Sequence, residues 1–327
     1  MERLVVGVDL GGTHIRAVLA NEQGRILDRA QVRTYAAEGL PAVLDRIITT
    51  VRRVAEGVPG VAAVGIGAPG PIDSRSGVVS NPPNLPGWVN VPLGRIVEET
   101  VGIPTFLGND ANVAALGEFA FGAGKDVQHL IYITVSTGVG GGIIVDGKLL
   151  EGQRGAAGEV GHMVVEPGGP LCSCGGYGHL EALVSGTAIG RQACEAIEAG
   201  RWSIATELAC DNPNGVTARI VTEAAKQHDE LALELLAQAG RRLGYAVINL
   251  VHLFNPQMVA IGGGVSVAGE HLLGPMREVV LDGLMPVFKQ DLQMVTASLG
   301  TDAGIFGTVA LALQGAEQLA STRLLQD

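Results

Sequence analysis

Twice along this chain two or three strand-like segments precede alternating helices and strands, and that order constrains the fold more than any single motif. Residues 3 to 34 read as a meander of Arg3–Val8, Ile15–Ala20 and Arg25–Thr34, with turns at Gly11-Gly12 and Asn21-Glu22-Gln23-Gly24. Leu40, Val43, Leu44, Ile47, Ile48, Val51 and Val54 then recur at helical spacing and make one apolar face. Val61–Gly67 reads as a strand, Pro92–Val101 as a helix, Pro104–Leu107 as a strand and Ala111–Phe121 as a helix. A second cycle opens with a strand from His129 to Val135, turns through Ser136-Thr137-Gly138 and returns as Gly141–Val145. It continues with a long helix from about Leu231 to Val251, strands at Met258–Ile261 and Gln293–Ala297, and a final helix from Ile305. The order ββ(β)αβαβα, run twice, predicts a duplicated α/β unit with an active site between its halves.

A chain of 327 residues is too long for one core and points to two domains. Hydrophobic residues make up 47% but aromatics only 4%, so the core must be built from Val, Ile, Leu and Ala, as in parallel strands buried under helices. A formal charge of −11 argues against a nucleic-acid or anionic-membrane partner, either of which needs a basic face. The N-terminal apolar run is short and broken by Asp9, unlike a signal peptide, and no long uncharged stretch follows that could span a bilayer. Of four cysteines two cluster at 172 and 174, which makes a disulfide framework unlike this chain, and Cys194 and Cys210 read as apolar packing residues. A cytoplasmic protein is expected.

With 48 glycines, chance motifs have to be discounted. Gly65-Ile66-Gly67-Ala68-Pro69-Gly70 matches a dinucleotide fingerprint, but Pro69 and Pro71 prevent the tightly packed helix it requires. Gly142 to Lys148 resembles a P-loop, yet Leu149 stands where a Ser or Thr should hold magnesium. Asp9-Leu10-Gly11-Gly12-Thr13 differs because it joins two strands. Its glycines let backbone N–H groups close on a phosphate, Thr13 adds a hydroxyl, and Asp9 could orient Mg²⁺ through water. The alternative is a plain hairpin turn. A second loop, Ser136-Thr137-Gly138-Val139-Gly140, sits in the equivalent strand pair, so Thr137 and Gly138 mirror the first loop across the expected cleft. Gly262-Gly263-Gly264 leaves room for a base or ribose, or simply turns a strand into a helix.

In Gly108-Asn109-Asp110-Ala111-Asn112 a strand ends and a helix begins, where the macrodipole favours an ionised carboxylate. Asn109 and Asp110 compete for one N-cap, so the spare residue can point into the cleft. A carboxylate there can take a proton from a hydroxyl during phosphoryl transfer. Asn81-Pro82-Pro83-Asn84-Leu85-Pro86-Gly87-Trp88 is a rigid loop in which Asn84 either presents an amide to a sugar hydroxyl or forms a turn, and Trp88 reads as a packing anchor. Further on, His162, Cys172, Cys174 and His179 can close a tetrahedral zinc site; buried apolar cysteines beside incidental histidines are the alternative. Glu159 and Glu181 flank that knot without being needed by it, and so are free to accept hydrogen bonds from a polyhydroxylated substrate.

These motifs together resemble the ROK family of sugar kinases and repressors, within the actin-like (ribonuclease H-like) ATPase superfamily, and the match looks nearest to bacterial glucokinases. D-L-G-G-T at 9–13, N-L-P-G-W at 84–88, N-D-A-N at 109–112, T-G-V-G-G-G from 137, E-V-G-H at 159–162 and C-S-C-G-G-Y-G-H-L-E at 172–181 carry it in order. The resemblance implies transfer of the γ-phosphoryl group of ATP, with Mg²⁺, to the 6-hydroxyl of an aldohexose. Asp110 falls on the family's base, and Asn84, Asn109, Glu159, His162 and Glu181 on its sugar contacts. Asp9, Gly11, Gly12, Thr13, Thr137, Gly138, Gly262 and Gly263 are expected around the nucleotide and its metal. The family usually has Cys where this chain has His179, so a His₂Cys₂ structural zinc site is expected. Further expectations are a smaller domain of residues 1–109 plus 301–327, a larger one of 110–300, and a homodimer or homotetramer. An N-acetylmannosamine kinase, a fructokinase and a polyphosphate-dependent glucokinase are the rival enzymes. A sugar-responsive repressor is disfavoured because strand 1 begins at Arg3, leaving no room for a helix-turn-helix.

Overall fold

Buried residues carry the chain through the first two strands of the expected meander and β3 lies half-buried to exposed at its edge; β1 (Leu4–Leu10), β2 (His14–Asn21) and β3 (Ile26–Arg33) pair antiparallel. In α1 (Leu40–Ala55) the apolar stripe buries Val43, Ile47, Val51 and Val54. The first cycle continues through β4 (Val64–Ala68), a two-residue hairpin of β5 (Ile72–Asp73) and β6 (Val78–Val79), α2 (Leu93–Val101), β7 (Thr105–Asn109) and α3 (Asp110–Phe121). Strand β4 runs parallel to β1 and β7 parallel to β4, giving the sheet order β3-β2-β1-β4-β7.

The second cycle begins with β8 (Leu130–Val135), β9 (Val139–Val145) and β10 (Lys148–Leu149). After it come α4 (Leu180–Val184), α5 (Gly186–Glu198), α6 (Ala205–Leu208) and α7 (Ala218–Lys226). The pattern then resumes with α8 (Glu230–Phe254), β11 (Met258–Gly262), α9 (Glu270–Gly283), α10 (Pro286–Lys289), β12 (Gln293–Thr296) and α11 (Ala303–Leu324). The second sheet has the order β10-β9-β8-β11-β12, which is the first sheet strand for strand. The α/β class and the duplication expected from the sequence are both present.

This computed structural model describes residues 2–210, 212 and 215–324; residues 1 and 325–327 of the expected smaller domain, and 211, 213 and 214 of the larger, lie outside the described residues. Helices α3 and α11 join the halves. Helix α11 packs on β1 and β4, α3 packs on β8 and β9, and the two helices pack on each other. Their backbones meet at Gly117, where a Cβ would lie 2.5 Å from the Ala303 carbonyl oxygen, so nothing larger fits. Glu118, fully buried at the far end of α3, accepts N–H bonds from Ala123 (2.9 Å), Ser298 (3.1 Å) and Leu299 (2.7 Å). One carboxylate thereby ties α3 to the connection leading into α11. The rejected fingerprint glycines are packing residues too, since Gly65 and Gly67 lie in β4 against Thr308 of α11.

Several elements escape sequence pattern. Helices α4 and α6 are shorter than the window in which periodicity can be read, β5, β6 and β10 are two residues each, and α9 contains Pro275. Strand ends also move: β1 reaches Leu10 and β7 reaches Asn109, so Asp9 and Asn109 belong to the ends of strands rather than to loops. Trp88 is wholly buried, as a packing anchor should be, whereas Cys210 is exposed rather than packed.

Candidate active site

The loop between β1 and β2 closes with the Gly11 N–H donating to the His14 carbonyl at 2.9 Å. Neither Gly11 nor Gly12 takes a positive φ. What Gly12 supplies is room, because a Cβ there would lie 3.1 Å from Cβ of Asn84. The expected phosphate loop and the expected sugar-contacting loop therefore touch. Asp9 is not the free carboxylate the sequence suggests: Arg16 donates to its Oδ2 through Nε at 3.0 Å and through a terminal nitrogen at 2.6 Å, and also reaches Asp302 at 3.3 Å. Any cation drawn to Asp9 has to share it with that guanidinium.

Competition for the α3 cap is resolved in favour of Asn109, whose side-chain oxygen accepts from the N–H groups of Ala111 (3.0 Å) and Asn112 (3.4 Å). With that oxygen engaged, the Asn109 amide nitrogen is what remains for a substrate. Asp110 still accepts from the Ala111 N–H at 2.8 Å, but its side chain opens to the cleft. Crowding by the surrounding walls pushes its pKa up to about 6, the Ala111 N–H opposes the rise, and repulsion from Asp9 and Glu159 adds to it. Desolvation is the larger cause although water reaches the group, because the cleft walls replace much of its hydration. A carboxylate titrating near neutrality is suited to accepting a proton.

Across the cleft, the loop between β8 and β9 has its Ser136 N–H donating to the Gly138 carbonyl (2.8 Å), while Thr187 Oγ1 donates to the Thr137 carbonyl (2.8 Å). Thr137 borders a cavity of about 750 Å³ whose other walls include Thr187, Arg191, Val216, Thr217 and Val265. Sequence reasoning missed this wall, which is built by α5 and α7. Their N-caps, Ser185 and Thr217, were the available signal. Of the expected glycine turn it is Gly264 that faces the cavity; a Cβ on Gly262 would meet the Tyr132 ring, and Gly263 turns the chain at φ 87°.

His162, Cys172, Cys174 and His179 converge so that one ligand atom from each lies within 4.8 Å of the others. His162 Nδ1 is 3.7 Å from Cys172 Sγ, and His179 Nδ1 is 3.2 Å from Cys174 Sγ. Zinc bonds of about 2.0–2.3 Å set neighbouring ligands roughly 3.5 Å apart, so the donor set and its spacing fit that ion. Burial raises the Cys172 thiol above its ordinary value, with the Cys174 N–H opposing, and a bound cation would reverse that preference. Since Nδ1 of His162 faces the cluster, Nε2 is left for a substrate.

Glu159 is exposed at the start of a single 3₁₀ turn, Val160–His162, and is near enough to raise the Asp110 pKa. Glu181, expected to be unengaged, instead accepts from the Val139 N–H (3.1 Å) and from Ser173 Oγ (2.9 Å). The segment leading to Glu159 meets the first half of the chain, with Ser74 Oγ donating to Glu151 (3.0 Å) and Arg75 to the Gly152 carbonyl (3.1 Å).

The sequence model of the ROK family matches residues 5–315. The chain belongs to the ROK family. Among curated ROK proteins, a glucokinase of Thermotoga maritima is 42% identical over 307 residues, covering 94% of this chain and 96% of that enzyme. A xylose repressor of Caldicellulosiruptor bescii is 33% identical over 94% of this chain, but only 78% of the repressor is covered. Among solved structures, a ROK family glucokinase from Streptomyces griseus in complex with glucose and AMPPNP superposes with a TM-score of 0.80 at 39% identity, covering 95% of this chain and 99% of that one. This ROK chain thus has the actin-like α/β kinase fold anticipated from its motifs. Among the described residues no helix is long and apolar enough to cross a membrane.

Proposed function

We propose that this ROK protein is a glucokinase that transfers the γ-phosphoryl group of ATP to the 6-hydroxyl of glucose, with Asp110 as general base. The observation that supports the reading is Asp110 itself, spared from capping by Asn109, reached by solvent, and near enough to Asp9 and Glu159 for their charges to raise its pKa. Glucose would bind beside Asn84, the Asn109 amide, Glu159, His162 Nε2 and Glu181, all short of the cavity that suits the nucleoside. The phosphates would lie between Gly11-Gly12-Thr13 and Thr137-Gly138. Closure of the halves would exclude water, which would otherwise compete with the sugar as acceptor, and Asp110 would take the hydroxyl proton late in transfer.

Two ions belong to this reading. Mg²⁺ bound with ATP would neutralise charge on the transferring group, with Asp9 at the end of β1 as its protein carboxylate. Zinc held by His162, Cys172, Cys174 and His179 would be structural, fixing the ring of His162 and the loop before Glu181. The packing of α11 on β1 and β4, and of α3 on β8 and β9, supports dividing the chain into a smaller domain of 1–109 plus 301–327 and a larger one of 110–300. We further read the protein as a cytoplasmic dimer or tetramer.

A panel of sugars and donors, compared by kcat/KM, tests the assignment. Highest efficiency with glucose and ATP supports it. Preference for N-acetylmannosamine, fructose or polyphosphate reassigns the enzyme within its family, and absence of turnover with every pair overturns the kinase reading.

A further inference from the structure

Glu181 has two carboxylate oxygens, and each is held by a different element. Oε2 accepts from the Val139 N–H at 3.1 Å, at the first residue of β9 directly after the Ser136–Gly138 loop. That approach needs a glycine at 138, where a Cβ would lie 2.5 Å from Oε2. Oε1 accepts from the hydroxyl of Ser173 at 2.9 Å, and Cys172 Sγ is 3.7 Å from the same oxygen. Ser173 stands between two members of the His/Cys cluster, so its position follows that of Cys172 and Cys174. A carboxylate offers about four lone-pair sites; the Cys172 thiol occupies a third only while it keeps its proton, and as a metal-bound thiolate it would leave two for hydroxyls of a substrate in the plane that Ser173 and Val139 fix.

From this geometry we infer that Ser173 is a positioning residue: its hydroxyl orients Glu181 for the sugar and links the cysteine loop, through Glu181, to the Val139 N–H beside the donor loop. Nothing in the bare spacing of the cysteines requires a hydroxyl between them. Methyl or hydrogen in its place leaves the four ligand atoms intact while releasing one side of Glu181 to rotate about its outer torsion. The effect falls on ground-state sugar binding, because Asp110 and the phosphate loops lie on other elements. This inference rests on Glu181 being a sugar contact, as proposed above.

The test uses the full-length, zinc-loaded protein and four variants, read by steady-state kinetics with glucose and by zinc content per chain. Ser173→Ala should raise KM for glucose by about five- to tenfold, less than losing a charge-assisted hydrogen bond made directly to the sugar because Ser173 acts through Glu181, with kcat within about twofold. Ser173→Thr, which keeps the hydroxyl, should restore KM, and Ser173→Gly should behave as the alanine variant. Zinc content and melting temperature should stay those of the parent. Glu181→Gln should raise KM further. An unchanged KM in Ser173→Ala overturns the inference, as does a rise accompanied by loss of zinc or one that Ser173→Thr fails to reverse. If Ser173→Ala is silent while Glu181→Gln raises KM, the sugar site stands and only the role of Ser173 falls. Were Glu181→Gln silent as well, the reading of the site would fall with it.

Discussion

The two halves of this chain share one sheet order and one sequence of elements, yet they join their third strand to the next long helix in different ways. In the first half, residues 34–39 lead from β3 straight into α1. In the second, residues 150–229 intervene between β10 and α8, and they carry Glu159, the His/Cys cluster, Glu181 and much of the cavity wall. The repeated part supplies loops at strand ends that face each other across a cleft. The unrepeated part carries three of the five sugar contacts proposed besides Asp110, namely Glu159, His162 and Glu181, while Asn84 and Asn109 come from the first half. Under the proposed function the base lies in the repeated part and most sugar contacts in the unrepeated one, so a change in each should move a different kinetic constant.

The largest effect is expected in the shared scaffold. Asp110→Asn should lower kcat by about 10²–10⁴-fold with little change in KM for glucose, measured by initial rates. In the parent, activity should rise with pH through about 6, because the base works only when ionised, and the variant should lose that limb. Stability gives an independent check. The folded pKa of Asp110 is raised from 3.8, so its contribution to stability is fully present below about 3.8 and is lost as pH rises through about 6. Asp110→Asn should therefore melt higher than the parent above pH 6, and the gap should close in acid. A gap of the opposite sign would contradict a crowded, repelled carboxylate at this position.

Removing the zinc proposed for the cluster should act on the unrepeated part instead. Full chelation, followed by kinetics at matched protein concentration, should raise KM for glucose by about 10–100-fold while kcat at saturation changes less. Unchanged kinetics in metal-free protein would separate the cluster from the sugar pocket. A smaller effect still, and one on folding rather than turnover, is expected where the halves are tied together. Glu118→Ala strands the N–H groups of Ala123, Ser298 and Leu299 and should cost about 1–3 kcal/mol, read by denaturant unfolding. No loss would mean that water replaces the carboxylate at the junction.

How much of this was legible follows the same division. The duplicated order was readable because each long element has its own periodicity: α1 keeps an apolar stripe, and β8 and β11 are buried almost continuously. The ligand set of the cluster was readable from residue types and short spacing, and the structure brings all four together. Asn109 as cap and Asp110 as spare could be framed but not decided, since both suit the position. Two engagements were invisible. Arg16 meets Asp9 because antiparallel pairing sets those residues opposite each other in register, and Ser173 meets Glu181 through a loop no pattern describes. The cavity wall was missed because α5 and α7, which build it, were passed over despite their caps.

A carboxylate of the shared scaffold should face a sugar held mostly by the unrepeated part. A crystal structure of this protein with glucose and a non-hydrolysable ATP analogue tests it most directly. The expected result is an Asp110 oxygen within about 3 Å of the glucose 6-hydroxyl, with the analogue's terminal phosphate in line beyond it. A closed complex in which Asp110 is turned away from that hydroxyl, with another group in its place, would contradict the claim.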